Sequence, residues 1–126
     1  MIIIGHPWIE SPNFCKVFSL EDIKKSKAEN IVLLEPLVDS HTLAKYCKEN
    51  EIPFAATVNT LQEAIFSNAL GASYMVCEED DALIIQPIAQ EYLFDTRILA
   101  LTHEEKEIAK IARSGIDGVI FPEAIC

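Results

Sequence analysis

The sequence predicts an α/β domain in which one mostly parallel sheet carries helices on both faces, as in a flavodoxin-like three-layer sandwich. Short runs of apolar and β-branched residues alternate with longer segments whose apolar residues recur every three or four positions. The later runs begin near residues 31, 53, 73, 97 and 118, in steps of 22, 20, 24 and 21. Strands that are apolar throughout and alternate with such helices are typical of a parallel sheet.

Seven segments are predicted as strands because they are short, apolar and rich in β-branched residues. They are Met1–Gly5, Lys16–Ser19, Ile31–Glu35, Pro53–Val58, Ser73–Cys77, Arg97–Thr102 and Gly118–Phe121. Five intervening segments are predicted as helices from the spacing of their apolar residues. They are Leu20–Ala28, Ser40–Asn50, Thr60–Leu70, Asp80–Phe94 and His103–Ser114.

Residues at the helix ends favour the same boundaries. Asn59-Thr-Leu-Gln62 and Thr102-His-Glu-Glu105 fit the capping box, in which two side chains satisfy free amides at a helix start. Gly71 and Gly115 follow two of the helices, where glycine readily takes the left-handed conformation that ends a helix. Pro87 interrupts the fourth helical segment and predicts a kink or two short helices.

Two parts of the chain align without a gap. Pro53–Glu79 and Arg97–Glu123 share the order strand, cap, helix, glycine, strand. Repetition of one βαβ geometry explains this likeness without common ancestry. No linker or low-complexity segment interrupts the pattern, so residues 1–126 are predicted to form a single domain.

A partial (βα)-barrel is the alternative architecture. A closed barrel of eight strand–helix units needs about 200 residues or more, and a chain of 126 residues excludes it. No room remains for a helix after the last strand, so one face of Gly118–Phe121 would stay bare unless the N-terminal segment or a second subunit covers it. The sequence therefore predicts a homo-oligomer, with a homodimer as the simplest form.

The charge of the chain argues against two classes of partner. Twenty acidic residues against ten basic ones give a net charge of −10, with a pI near 4.6. Nucleic-acid phosphates and anionic membranes repel such a surface. No apolar run approaches the roughly 20 residues that a membrane helix needs. We therefore expect no nucleic acid and no membrane partner, while a protein partner stays open.

The four cysteines indicate a reducing compartment. Cys15, Cys47, Cys77 and Cys126 lack CxxC spacing, and no export signal precedes them. We therefore expect reduced thiols in a cytoplasmic protein, with Cys126 mobile at the terminus. Cys77 ends an apolar strand beside Glu78, whose charge raises the pKa of a thiol, so we interpret it as a core residue rather than a nucleophile.

All three histidines fall where the predicted strands end, which is where parallel sheets bind ligands. His6, His41 and His103 come from three separate loops. Imidazoles and carboxylates are the usual ligands of Zn²⁺, so one hypothesis is a metal site at these histidines. The other hypothesis is that polar residues simply collect in loops at helix starts. Likewise, the acidic run Glu78–Asp81 suits either a divalent cation or the dipole of a solvated helix start.

Sequence patterns that identify common cofactors and enzymes are missing. The chain has no GxGxxG, no Walker A loop and no GxSxG, and it holds only four glycines. The sequence therefore identifies no cofactor, and it contains no evident nucleophile–base pair.

From residue 31 to residue 122 the order of elements resembles a response-regulator receiver domain. Glu35 and Asp39 stand where receivers carry acids after the first strand, and Glu78 stands at the phosphoacceptor position. Thr102 stands at the switch position that ends the fourth receiver strand. The resemblance implies a ligand site formed by these four residues.

Two departures define what kind of receiver the resemblance implies. The acceptor position holds a glutamate, and Phe121-Pro122 replaces the lysine–proline pair of the fifth strand. The resemblance therefore implies a degenerate receiver-like module. The segment Gly115–Ile120 is also similar to the closing strands of phosphate-binding (βα)-barrel enzymes.

These observations favour a non-catalytic binding or regulatory module that associates with itself. The alternative is a small enzyme or metal-binding protein that uses the carboxyl ends of the strands. In that alternative His6, His41 and His103 serve as ligands or acid–base groups, with Glu78 as a carboxylate.

Overall fold

The computed structural model describes residues 1–126 and contains seven strands and five α-helices. The strands are β1 (Ile2–Ile4), β2 (Phe14–Lys16), β3 (Ile31–Leu34), β4 (Phe54–Thr57), β5 (Tyr74–Cys77), β6 (Arg97–Leu101) and β7 (Gly118–Ile120). The helices are α1 (Leu20–Lys25), α2 (Leu37–Glu49), α3 (Leu61–Ala69), α4 (Glu79–Glu91) and α5 (Ile108–Arg113), and 3-10 turns span Glu105–Glu107 and Pro122–Ala124. No helix has the length and apolar character needed to cross a membrane.

All seven strands are parallel and form one sheet in the order β1-β7-β6-β5-β4-β3-β2. The predicted α/β class with a parallel sheet is confirmed. From β2 to β7 each strand lies beside the next strand in the chain, and β1 joins β7. The order therefore lacks the reversal at which doubly wound sheets place their ligands.

The sheet curls so that one of its faces becomes an interior. One buried side chain from each strand, together with Ala124, forms an apolar cluster on that face, to which α1–α5 contribute no residue. The cluster consists of Ile4, Phe14, Leu33, Ala55, Val76, Leu99, Ile120 and Ala124. The ring centroids of Phe14 on β2 and Tyr74 on β5 lie 5.3 Å apart across this interior.

The helices pack on the other, outer face of the sheet. Two outer clusters combine strand residues such as Met75 and Val32 with helix residues such as Ile85 and Ala44. The two-sided helical cover expected from the sequence is therefore replaced by a one-sided cover, as in the partial-barrel alternative. Curling makes this arrangement stable, because the strands bury their inner face against one another.

The end of the chain connects β2 to the segment that follows β7, and we refer to this junction as the seam of the curled sheet. The amide of Cys126 donates to the carbonyl of Phe14 at 2.9 Å, and the amide of Lys16 donates to the carbonyl of Cys126 at 2.8 Å. Cys126 also forms a disulfide with Cys15, with their Cα atoms 4.5 Å apart. The expectations of four reduced thiols and a mobile C-terminus are therefore wrong. Spacing could not reveal the pair, because 111 residues separate the two cysteines.

The last strand is covered within the single chain. Gly118, Val119, Ile120 and Phe121 are all buried, with Val119 and Phe121 in the outer cluster beneath the helices. β1 pairs with β7 and supplies the missing neighbour. The bare face from which self-association was predicted is thus absent, and self-association itself stays a prediction.

Several predicted boundaries shift by a few residues. β2 begins at Phe14 rather than Lys16 because it pairs with β3 from Phe14 onward. The side chain of Thr60, not Asn59, caps α3 by accepting from the amide of Glu63. Pro87 lies inside a single 13-residue helix, α4, rather than between two short helices.

Four helices end in the same way. Glu51, Gly71, Leu93 and Gly115 follow the C-cap residues of α2 to α5 and all have positive φ. After α3, the amide of Ala72 donates to the carbonyl of Ser67 at 3.0 Å, the bond of a Schellman motif. The left-handed conformations predicted for Gly71 and Gly115 are confirmed.

Candidate ligand-binding cavity

A cavity of about 1060 Å³ opens where β1, β6 and β7 end. Its wall comes from the loop after β1, from residues that follow β6 and β7, and from the two residues before β3. The lining residues are Gly5, His6, Pro7, Trp8, Ile9, Glu10, Ser11, Pro12, Asn13, Glu29, Asn30, His103, Glu105, Phe121, Glu123 and Ala124.

The stagger of the strands brings Glu29 and Asn30 to this cavity. Both residues precede β3, whereas most of the wall comes from residues that follow a strand. If all strands of the sheet began at the same level, these two groups would lie at opposite ends of the sheet. Phe14 of β2, however, pairs with Ile125, which lies beyond the end of β7. β2 and β3 therefore begin near the height at which β7 ends, and their preceding residues face the cavity.

Short contacts fix the loop between β1 and β2. The amide of Gly5 donates to Ser11 Oγ at 2.9 Å, and the amide of Ile9 donates to the carbonyl of His6 at 3.0 Å. Gly5 has φ +93°, and a Cβ there would lie 2.9 Å from the Cβ of Ala124. Only glycine suits this position, and the resulting turn leaves the indole of Trp8 86% exposed.

His6 and Glu105 join two parts of the cavity wall. His6 Nε2 lies 2.7 Å from Glu105 Oε2, and the amide of Trp8 donates to His6 Nδ1 at 3.2 Å. Since Nδ1 accepts, the proton of a neutral imidazole resides on Nε2 and is donated to Glu105. Both ring nitrogens are therefore engaged, and the ring also contacts Trp8 and Phe121, with centroids 5.1 and 5.9 Å away.

The structure separates the three histidines of the metal hypothesis. His6 and His103 line the cavity, whereas His41 lies on the exposed surface of α2, with Nδ1 3.2 Å from the carbonyl of Val38. No group of three or more histidine, cysteine, aspartate or glutamate side chains is arranged to hold a metal ion. His6 and His103 thus follow their strands as expected, whereas His41 lies in the second turn of α2, because that helix begins at Leu37 rather than at Ser40.

None of the four ligand residues implied by the receiver resemblance lines the cavity. Asp39 and Glu78 are exposed in the first turn of α2 and at the start of α4. Thr102 is buried after β6, and its Oγ1 accepts from the amide of Glu104 at 3.4 Å. β4 lies between β3 and β5, and so separates Glu35 from Glu78.

Glu35 forms an ion pair with a neighbouring strand. Lys16 Nζ lies 2.8 Å from Glu35 Oε1. Burial raises the pKa of the Glu35 carboxyl, but hydrogen bonds from Lys16 and Thr57 and the charge of Lys16 outweigh it and leave the pKa below its ordinary value. This pair connects the end of β3 to β2.

The two free thiols lie in the core. Cys77 is buried in the outer cluster, which confirms its interpretation as a core residue. Burial, with smaller contributions from Asp81 and Glu78, raises its pKa to about 12. Burial also raises the pKa of Cys47. Both thiols stay protonated near neutral pH, which makes them poor nucleophiles.

The cavity wall is strongly acidic. Four glutamates line it, Glu10, Glu29, Glu105 and Glu123, and the wall contains neither lysine nor arginine. Glu105 contacts His6, whereas the other three form no ion pair. Glu123 follows β7 and Glu10 lies in the loop after β1, so both belong to this end of the sheet, whereas Glu29 precedes β3 and is brought here by the stagger alone. No protein-family model matches the chain, and no curated protein matches it.

Proposed function

We propose that this protein is a non-catalytic binding module that holds a small organic cation, an ammonium or a guanidinium group, in the cavity at the ends of β1, β6 and β7. The observation that carries the proposal is the lining of that cavity, in which four glutamates occur without a lysine or arginine. Opposite charge at close range stabilises a bound cation, especially where the wall reduces the exposure of the pair to water.

Trp8 provides the second element of the site. Trp8 is 86% exposed and lines the cavity, and its ring contacts the ring of His6 edge-on at a centroid distance of 5.1 Å. Cations bind favourably over the face of an indole ring, and quaternary ammonium groups do so without any hydrogen bond. An organic cation needs only these two features, whereas a metal ion needs several converging ligands.

The hydrogen bonds of His6 support binding rather than catalysis. A general base needs a free lone pair, and the lone pair of Nδ1 already accepts from the amide of Trp8. One observation nevertheless favours a second candidate, an acid–base enzyme. The His6–Glu105 pair lies in the cavity wall at 2.7 Å and would act in catalysis after a movement of the Trp8 loop frees Nδ1.

Trp8 is the only tryptophan of the chain, so its fluorescence reports directly on this cavity. We would titrate the protein with choline, agmatine and spermidine, and with 3,3-dimethylbutanol as the uncharged analogue of choline. Emission from Trp8 should change saturably with at least one cation and not with the alcohol. A protein whose Trp8 emission responds to none of the cations, or equally to the alcohol, contradicts the proposal.

Charge removal provides the matched comparison. Glu29→Gln and Glu123→Gln should each weaken the binding of the responding cation several-fold, because each removes an unpaired carboxylate from the wall. Glu21→Gln removes an equally exposed carboxylate on α1, away from the cavity, and should leave the affinity within about twofold.

The predicted cytoplasmic localisation stays a prediction, and the Cys15–Cys126 disulfide is a feature more typical of oxidising compartments.

A further inference from the structure

Two neighbouring helices expose apolar side chains at the same height. Ile65 and Phe66 on α3 are 46% and 54% exposed, and Leu83 and Ile84 on α4 are 43% and 60% exposed. The two helices pack against each other on the outer face of the sheet. We refer to these four side chains as the apolar band.

The register of the repeated units places the two exposed pairs at equivalent positions of α3 and α4. Thr60 and Glu78 are the N-cap residues of α3 and α4. Counted from these caps, the exposed pairs occupy the fifth and sixth positions of both helices. β4 and β5, which precede the helices, are parallel neighbours, so equivalent helix positions lie side by side.

The fold does not require apolar residues at these positions. In α2, whose N-cap is Pro36, the fifth and sixth positions hold His41 and Thr42, which are exposed and polar. The fourth position is the one that faces the core, and it holds the buried residues Ser40, Ala64 and Ala82 in the three helices. The apolar band therefore adds nothing to the core and presents an unpaired surface.

The charged residues on α3 and α4 themselves are all acidic. α3 and α4 carry five acidic residues and neither lysine nor arginine: Glu63, Glu79, Asp80, Asp81 and Glu91. Lys110 of α5 pairs with Glu79 at 3.3 Å, and the other four form no ion pair. A partner must therefore combine an apolar surface with basic groups.

We propose that the apolar band binds an amphipathic segment of another protein whose apolar side chains are flanked by lysine or arginine. Such segments lay an apolar helix face against an apolar surface, and opposite charges at the rim set their orientation. Phe66 is the natural anchor, because aromatic residues dominate the energetics of such contacts. A second copy of this chain fits less well, since a two-fold contact would bring the five acidic residues against the same five.

Two synthetic peptides test this proposal. Both are helical, about 18 residues or five turns long, with leucine on one face; one carries lysine on the other face, and the second carries glutamate. In ¹⁵N-labelled protein, the leucine–lysine peptide should shift amide signals of α3 and α4 saturably, and the leucine–glutamate peptide should not. The double variant Phe66→Gln/Ile84→Gln should weaken binding about tenfold or more, as expected for loss of an anchor residue.

Val38→Gln is the matched control, because Val38 is 77% exposed on α2, outside the band. It should leave the affinity for the leucine–lysine peptide within about twofold, as expected for an exposed residue outside the contact. If either glutamine in the double variant disturbs folding, the pair Ile65→Gln/Leu83→Gln tests the same surface from the other two positions.

Three results would overturn the proposal. In the first, the leucine–lysine peptide does not bind. In the second, the peptide shifts amide signals of the protein over the whole acidic surface, and these shifts persist in both double variants, which identifies general charge attraction. In the third, the free protein sediments as a dimer that the double variants convert to a monomer, which assigns the band to a second copy of the chain.

Discussion

The ring of Phe14 contacts the ring of Tyr74 at a centroid distance of 5.3 Å, although β3 and β4 lie between the strands that carry them. Strands three positions apart in a flat sheet are separated by about 14 Å, because neighbouring strands are spaced by about 4.8 Å. The contact therefore exists because the sheet curls, and it lies in the interior that the curling creates.

Truncation of Phe14 should strongly destabilise the protein. Phe14→Ala removes a fully buried ring from the interior, and we expect the free energy of unfolding to fall by about 3–5 kcal/mol. Phe18→Ala is the control, because Phe18 is 70% exposed and its loss should change the free energy by less than about 0.5 kcal/mol. Urea unfolding measures both, and equal effects of the two substitutions would contradict the interior described for Phe14.

The disulfide at the seam should contribute measurably to stability. Cys15 and Cys126 are 111 residues apart, so their bond restricts nearly the whole unfolded chain. We expect Cys15→Ser/Cys126→Ser to lower the free energy of unfolding by about 2–4 kcal/mol. The wild-type protein in dithiothreitol should then unfold at the same urea concentration as the double variant. A wild-type protein that is insensitive to the reductant would contradict this role.

The sequence predicts the local elements well because local residues determine them. The glycine after α5, Gly115, has the predicted left-handed conformation, and the strand at β7 follows it. The curl, the stagger and the seam depend instead on contacts between residues far apart in the chain. No spacing rule relates Cys15 to Cys126, or brings Glu29, which precedes β3, to the cavity at the end of β1. The candidate site was therefore predictable only in part, through His6 and His103.

Glycine should be more stable than leucine at position 93, which follows the C-cap of α4. Leu93 has φ +53° and is 84% exposed, so its side chain gains little packing in a conformation that disfavours Cβ. Leu93→Gly should raise the free energy of unfolding by about 0.5–1 kcal/mol, the strain relief exceeding the added entropy of the unfolded chain. Thermal unfolding measures the change.

Gly115→Ala should have the opposite sign. Gly115 has φ +80°, and no atom lies within 4 Å of the position that a Cβ would take. The substitution therefore adds backbone strain without a steric clash, and we expect a loss of about 1 kcal/mol. A stabilising effect of Gly115→Ala, or a destabilising effect of Leu93→Gly, would show that conformational strain does not govern these helix ends.

The ion pair between Lys16 and Glu35 should make part of the stability depend on pH. Because the pKa of Glu35 is lower in the folded chain than its ordinary value of 4.5, the folded state binds this proton less readily than the unfolded state. Its contribution is therefore complete above about pH 4.5 and is lost as the pH falls through the lower pKa of the folded protein. Lys16 and Glu35 are 42% and 28% exposed, so water screens the pair and keeps the contribution at about 0.5–1 kcal/mol.

Glu35→Gln should thus be less stable than the wild-type protein at pH 7, and the difference should shrink towards zero when urea unfolding is repeated well below pH 4. In a Lys16→Met background the same substitution at Glu35 should give a much smaller pH-dependent difference, because the partner charge is gone. A Glu35→Gln deficit that is equally large at both pH values would mean that the substitution disturbs packing rather than charge, because protonated Glu35 and glutamine are both neutral.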